Sequence, residues 1–156
     1  MDDAGLRKVF DDLVRFETVL WNSVDARLRR EHDVTLGGLN VLMVVEATAL
    51  CRVYDIAEAL AITVGGVSQA VDRLEKPGLL SRRPNPEDRR SSLVELTPTG
   101  LSLLEAARAT LDDELDRQLR APLSASALTH LAGALDTVRR AATPGREGPG
   151  PGTRES

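Results

Sequence analysis

Four arginines stand within "SRRPNPEDRRSSLVEL", Ser81 to Leu96: Arg82, Arg83, Arg89 and Arg90. A guanidinium is a planar fork of donors that suits carboxylates and phosphates. The chain around them is acidic, with 24 Asp and Glu against 20 Lys and Arg, a formal net charge of -4 and a pI near 5.2. Between Ala61 and Thr97 the balance is +1, because Arg73 and Lys76 join the four arginines against Asp72, Glu75, Glu87, Asp88 and Glu95. That asymmetry is modest, so the placement of the arginines is the stronger signal. A local basic patch can meet a polyanion even on an acidic protein.

The second constellation is "TVGGVSQAVDRLEKPGLL", which starts at Thr63. Val67, Val71 and Leu74 fall on one helical face and should pack inward. The opposite face carries Gly65, Gly66, Ser68, Gln69, Asp72 and Arg73. Two glycines in a helix cost roughly 1 kcal/mol each relative to alanine. In the first turn they let a phosphate approach the backbone and the helix N-terminus, although a frayed helix start or tight packing would use them equally well. Gln69, one turn further in, can pair with N7 and N6–H of adenine. Thr63 and Ser68 can reach phosphate or a base edge, and Arg73 the backbone.

These groups need elements to hold them. Apolar residues from Leu6 to Leu28 recur every three or four positions and predict a long amphipathic helix. Thr35 is the expected N-cap of a second, centrally buried helix, "LGGLNVLMVVEAT". "CRVY" is β-prone, Asp55 can cap the helix "IAEALA", and Thr63 can cap the next. Two short helices about three residues apart are a helix-turn-helix signal. "GLLSRRP" and "SSLVELT" predict two strands around a charged tip, with Leu93 and Leu96 inward and Arg89 and Arg90 at the end of the turn. Thr97 and Pro98 open a long helix with an apolar stripe of Leu101, Leu104, Leu111, Leu115 and Leu119 that Pro122 breaks. Ser124 starts a last helix with Leu128, Leu131, Leu135 and Val138.

The predicted fold class is mostly α (α+β): a winged helix-turn-helix with long N- and C-terminal dimerisation helices. Residues 1–34 form the N-terminal dimerisation helix and 35–97 the winged DNA-binding domain. Residues 98–142 form the C-terminal dimerisation helices, and 143–156, rich in Gly and Pro, a disordered tail. The outer apolar stripes have no partner inside the winged part, and a two-fold homodimer is the simplest way to bury them. A hairpin beside a recognition helix can place arginine in a narrow minor groove. Asp88 is expected to hold one of the guanidiniums by a fork-like pair.

From Thr63 to Gly100 the chain resembles the MarR family of bacterial transcription regulators, on "VDRLEKPGLL" and the wing motif "DRRSSLVELTPTG". The outer helices match in order and length, so the resemblance spans about Leu6 to Ala142. It implies an obligate homodimer on double-stranded DNA. The recognition helices would enter successive major grooves of a pseudo-palindromic operator, with the wing tips in the minor groove. It puts base and phosphate contacts on Thr63, Gly65, Gly66, Ser68 and Gln69, and the wing arginine on Arg90 with Asp88 as its acidic partner. Position 69, often basic in relatives, is glutamine here. The resemblance also implies repression relieved by a small phenolic or lipophilic effector.

Other classes fare worse. No nucleophile–base pair, phosphate-binding Gly-rich loop after a strand, or metal cluster is evident, so no enzyme, cofactor or metal is expected. Glu31 and Asp33 flank His32 without metal-ligand spacing. Cys51, the single cysteine, is read as a buried small hydrophobe, with a thiol sensor beside Arg52 as the sharper alternative. No apolar run approaches the ~20 residues of a membrane span and no signal peptide is evident, so a cytoplasmic protein is expected. The rival function is a winged-helix module that binds protein without specific DNA binding.

Overall fold

The computed structural model describes residues 1–142, and the expected tail lies outside them. Helix α1 runs Asp3–His32, α2 Leu36–Ala47, α3 Val53–Leu60 and α4 Val64–Glu75. Strands β1 (Leu80–Pro84) and β2 (Ser92–Leu96) form an antiparallel hairpin, followed by α5, Pro98–Leu115. These elements make one compact unit; a second begins at Asp116 with a π-helical turn, Asp116–Arg120, and continues into α6, Ala125–Ala142.

Helix starts are set by short polar side chains. Asp2 accepts from the Gly5 amide at 2.9 Å, Thr35 from Gly38 at 2.8 Å, Thr63 from Gly66 at 3.1 Å and Ser124 from Ala127 at 3.2 Å. Each offsets an orphan N–H of a first helical turn. α1 ends at Asp33 and α3 at Ala61, both in the left-handed region, at φ 54°.

The core of the first unit gathers around α2, whose Leu39 and Leu42 are fully buried. Val24 and Leu28 reach it from α1, Ile56 from α3, Val67, Val71 and Leu74 from α4, and Leu104 and Ala107 from α5. α4 therefore presents inward the three residues that its periodicity predicts.

Several expectations change. "CRVY" forms no strand of its own: Arg52 makes a single bridge to Leu93, and α3 begins already at Val53. Asp55 is thus inside the helix, and its carboxylate reaches back to accept from the Arg52 amide at 2.8 Å. The Val94 amide donates to the Cys51 carbonyl at 2.7 Å, so β2 is bonded on both edges. Leu93 and Val94 are consequently both buried, which breaks the simple alternation, while Leu96 is half-buried.

α5 stops at Leu115, where the chain widens into the π-helical turn closed by the Ala121 amide on the Asp116 carbonyl at 2.8 Å. Leu101 is exposed, and the buried face of α5 is Gly100, Leu104, Ala107, Thr110 and Glu114. The cause lies in the first turn of α5. A Cβ on Gly100 would sit 1.9 Å from the Leu79 carbonyl oxygen, so the bare glycine face lies flat on the end of the hairpin. Thr97 fastens the same junction: its amide donates to Leu79 O at 3.1 Å and its hydroxyl accepts from the Gly100 amide at 2.9 Å.

The buried polar residues of α5 are paired to α1. Ser23 donates to Glu114 at 2.6 Å, Arg27 reaches Asp113 at 2.5 Å and Glu114 at 3.3 Å, and Thr110 lies between His32 (2.7 Å) and Glu31 (3.2 Å). No helix of the described residues is long and apolar enough to cross a membrane.

Candidate nucleic-acid interface

α4 stands on the core through Val67, Val71 and Leu74, which leaves its other face outward. Thr63, Gly65, Gly66, Gln69 and Arg73 are exposed there and Ser68 is half-buried. The Thr63 hydroxyl is the N-cap, which uses one of its two lone pairs and leaves its proton free to donate. A Cβ on Gly65 would meet nothing within 4 Å, whereas one on Gly66 would lie 3.2 Å from Thr63 Oγ1. The protein's own packing therefore gives no reason for glycine at position 65. The exposed first turn of α4 offers unpaired amides and the positive end of the helix dipole to an anion.

The wing tip is a polar turn tied to itself. Asn85 bonds Ser91 through its amide (3.3 Å to O) and its side chain (2.9 Å to Oγ), and the Glu87 amide donates to Asn85 Oδ1 at 3.0 Å. Asp88 accepts from the Arg90 amide at 2.9 Å, and its carbonyl accepts from the Ser91 amide at 3.1 Å. The expected fork between Asp88 and a guanidinium is not formed. Asp88 is consumed by the backbone of a two-residue Asx-type turn, which leaves its side chain facing the loop. Arg89 and Arg90 are exposed, and their side chains have no partner among the described residues.

Arg82 and Arg83 differ from that pair. Arg83 Nε bonds Glu95 Oε1 at 2.5 Å across the hairpin. Arg82 points back from β1 onto α4, where Nη1 meets Asp72 Oδ1 at 2.7 Å and Glu75 Oε2, and Nη2 meets the Ser68 carbonyl at 3.4 Å. Of the six cations between Ala61 and Thr97, two are neutralised inside the protein. Arg73, Lys76, Arg89 and Arg90 have no acidic partner among the described residues. Lys76 is exposed at the end of α4 and was not among the candidate contacts; its only sequence signal is its place at the C-terminal turn of the recognition helix.

Beside the wing, Arg52 donates to Asp55 from Nε (2.9 Å) and Nη2 (2.8 Å). The guanidinium holds the Asp55 carboxyl below its ordinary pKa of 3.8. Cys51 is 1% exposed, and burial, followed by the charge of Asp55, pushes its thiol up to about 11. A thiol that stays protonated at neutral pH is a poor oxidant sensor, so the small-hydrophobe reading of Cys51 holds.

Known proteins share this arrangement. A model of the MarR family matches residues 32–91, from the end of α1 through the wing tip. The multiple antibiotic resistance protein MarR of Escherichia coli is 28% identical over 99 residues, which is 64% of this chain and 69% of that one. A MarR family transcriptional regulator of Streptomyces coelicolor, Sco3205, solved in complex with DNA, superposes with a TM-score of 0.85 at 22% identity, over 94% of this chain and 97% of that one. A mutant MarR of E. coli, complexed with operator DNA, gives 0.76 at 23% identity, over 88% and 99%. With α3, α4 and the wing set out in this way, family model and relatives converge on those elements, and the chain is similar over them to the MarR family of transcriptional regulators.

Proposed function

We propose that this protein is a homodimeric, sequence-specific DNA-binding regulator that represses from a pseudo-palindromic operator and is released by a small lipophilic or phenolic effector. One observation carries the reading: an exposed recognition helix with a bare first turn stands beside a wing whose tip holds two arginines without internal partners. Thr63, Gly65, Gly66 and Ser68 meet phosphate or base edges at the start of α4, Gln69 reads adenine, and Arg73 meets the backbone. Arg90, with Arg89, enters the minor groove. Two of the similar structures named above were solved with DNA, which supports the DNA-binding reading.

Surfaces left uncovered in each unit support dimerisation. Leu6, Phe10, Leu13, Phe16 and Trp21 on α1 are between 39% and 69% exposed. Helix α6 buries none of its residues, and Leu135 and Val138 are exposed. Apolar faces of this extent mark association sites. For the effector, a cleft of about 270 Å³ behind α4 has largely apolar walls, among them Val41, Ile62, Ala70 and Leu74, with Asp33, Thr35 and Arg73 as its polar groups. The protein acts in the cytoplasm, with the DNA.

The test is fluorescence-anisotropy binding to DNA taken from upstream of the protein's own gene and to sequences selected from a random pool, at two salt concentrations. A selected sequence bound well above its scrambled version, with affinity falling steeply in salt, is the expected result. Weak, equal binding to all sequences would leave the protein-interaction module as the better account.

A further inference from the structure

Arg82 has the type and the location of a DNA contact, on the strand that leads into the wing. Its surroundings give it different work. Its guanidinium is 28% exposed and reaches three acceptors of α4: the carboxylates of Asp72 and Glu75 and the carbonyl of Ser68. Asp72 and Glu75 lie nearly one turn apart on the flank of α4 that faces β1, so one planar group bridges both. The carbonyl of Ser68 belongs to the part of α4 where the candidate base contacts sit. Between α4 and the wing tip the chain runs through a turn at Gly78, where φ is 75°, and through a hairpin of only two strands. A two-stranded hairpin is marginal by itself and takes its orientation from what it packs on.

We propose that Arg82 is a positioning residue, not a DNA ligand: it locks the wing to the recognition helix and so sets the distance between the major-groove and minor-groove contacts. This rests on the DNA-binding reading above and refines it. The lock has an electrostatic consequence. Two carboxylates on a DNA-facing helix would repel phosphate, and Arg82 screens them while it fixes the hairpin. A charge already neutralised by two carboxylates releases no counterion on binding, whereas the unpaired Arg90 does.

The experiment uses the full-length protein with an operator selected from a random pool and its scrambled version. Three variants are compared: Arg82→Met, Arg90→Ala and Asp72→Asn/Glu75→Gln. Thermal melting first confirms that each is folded. Arg82→Met should lower the ratio of specific to scrambled affinity about tenfold and keep the wild-type dependence of log affinity on log salt. Arg90→Ala should flatten that slope by ~0.9 for each wing that contacts phosphate. The double carboxamide variant makes the surface more positive by two charges per chain. Simple attraction would tighten its binding to every sequence. Loss of the lock should instead lower the specific-to-scrambled ratio several-fold, even as scrambled DNA binds more tightly. Arg82→Lys, which reaches a single carboxylate, should recover part of the ratio.

A slope for Arg82→Met as flat as that of Arg90→Ala would make Arg82 a phosphate ligand and overturn the proposal. So would a double variant with an unchanged or higher ratio. If wild-type protein discriminates no sequence, the DNA-binding reading itself fails; loss of discrimination confined to the variants cannot be mistaken for that outcome.

Discussion

The winged segment and the first twenty or so residues of α1 have similar apolar content and opposite fates. In the wing and the helix-turn-helix, Ile56, Val67, Val71, Leu93 and Val94 are all at most 1% exposed. In the outer part of α1, Leu6, Phe10 and Val19 are 63%, 69% and 56% exposed, and the helix buries only Val24 and Leu28, near its C-terminal end. The first region completes its core within one chain. The second carries an amphipathic pattern just as regular, yet its apolar side meets solvent. The same periodicity therefore specifies a helix in both places, and burial in only one of them.

That contrast can be broken most severely at Gly100. Gly100→Val forces side-chain atoms into the Leu79 carbonyl, and we expect about 3 kcal/mol or more of destabilisation, or failure to fold, read by chemical denaturation. Leu39→Ala comes next, at about 2–5 kcal/mol, with a loss that does not depend on protein concentration. Phe10→Ala should behave oppositely. The stability of the isolated chain changes by less than about 0.5 kcal/mol, while sedimentation shows a weaker dimer. A large, concentration-independent loss in Phe10→Ala would mean that α1 is packed within its own chain.

A smaller effect sharpens the reading of α4. Gly65→Ala meets open space, so it should stabilise the fold by up to about 1 kcal/mol, seen as a higher Tm, and still weaken DNA binding. A rise in Tm with undiminished DNA affinity would remove the close backbone approach at that position.

The smallest effect concerns pH. The folded pKa of Asp55 is lowered by Arg52, so its contribution is present above the ordinary value of 3.8 and is lost as pH falls through the lower folded value. The pair is partly exposed, which keeps the contribution small. Asp55→Asn should lower stability by a small, constant amount above pH ~5 and flatten the acid limb slightly below it.

Much of this was legible along the chain. Thr35, Thr63, Thr97 and Ser124 cap the helices expected of them, because N-capping is a local event between a side chain and an amide three residues on. The inward face of α4 follows from the helical period alone. The second edge of β2 was legible only in part: "CRVY" reads as β-prone, but the bond from Val94 to Cys51 joins residues far apart in sequence, and nothing local names the partner. Nor was the outward turn of Leu101, which is imposed by the seat of Gly100 on Leu79.

The arginines divide in the same way. Residue type and spacing alone determined that guanidiniums would cluster beside a recognition helix, because strands, turn and helix are all written in local pattern. Only the tertiary structure decided which of them face outward. Arg82 and Arg83 meet carboxylates brought to them by packing and by strand register, while Arg89 and Arg90, on a turn closed by its own Asn85, Asp88 and Ser91, meet none. A charge declares itself in sequence; whether it is already neutralised depends on what the fold places within a few ångströms of it.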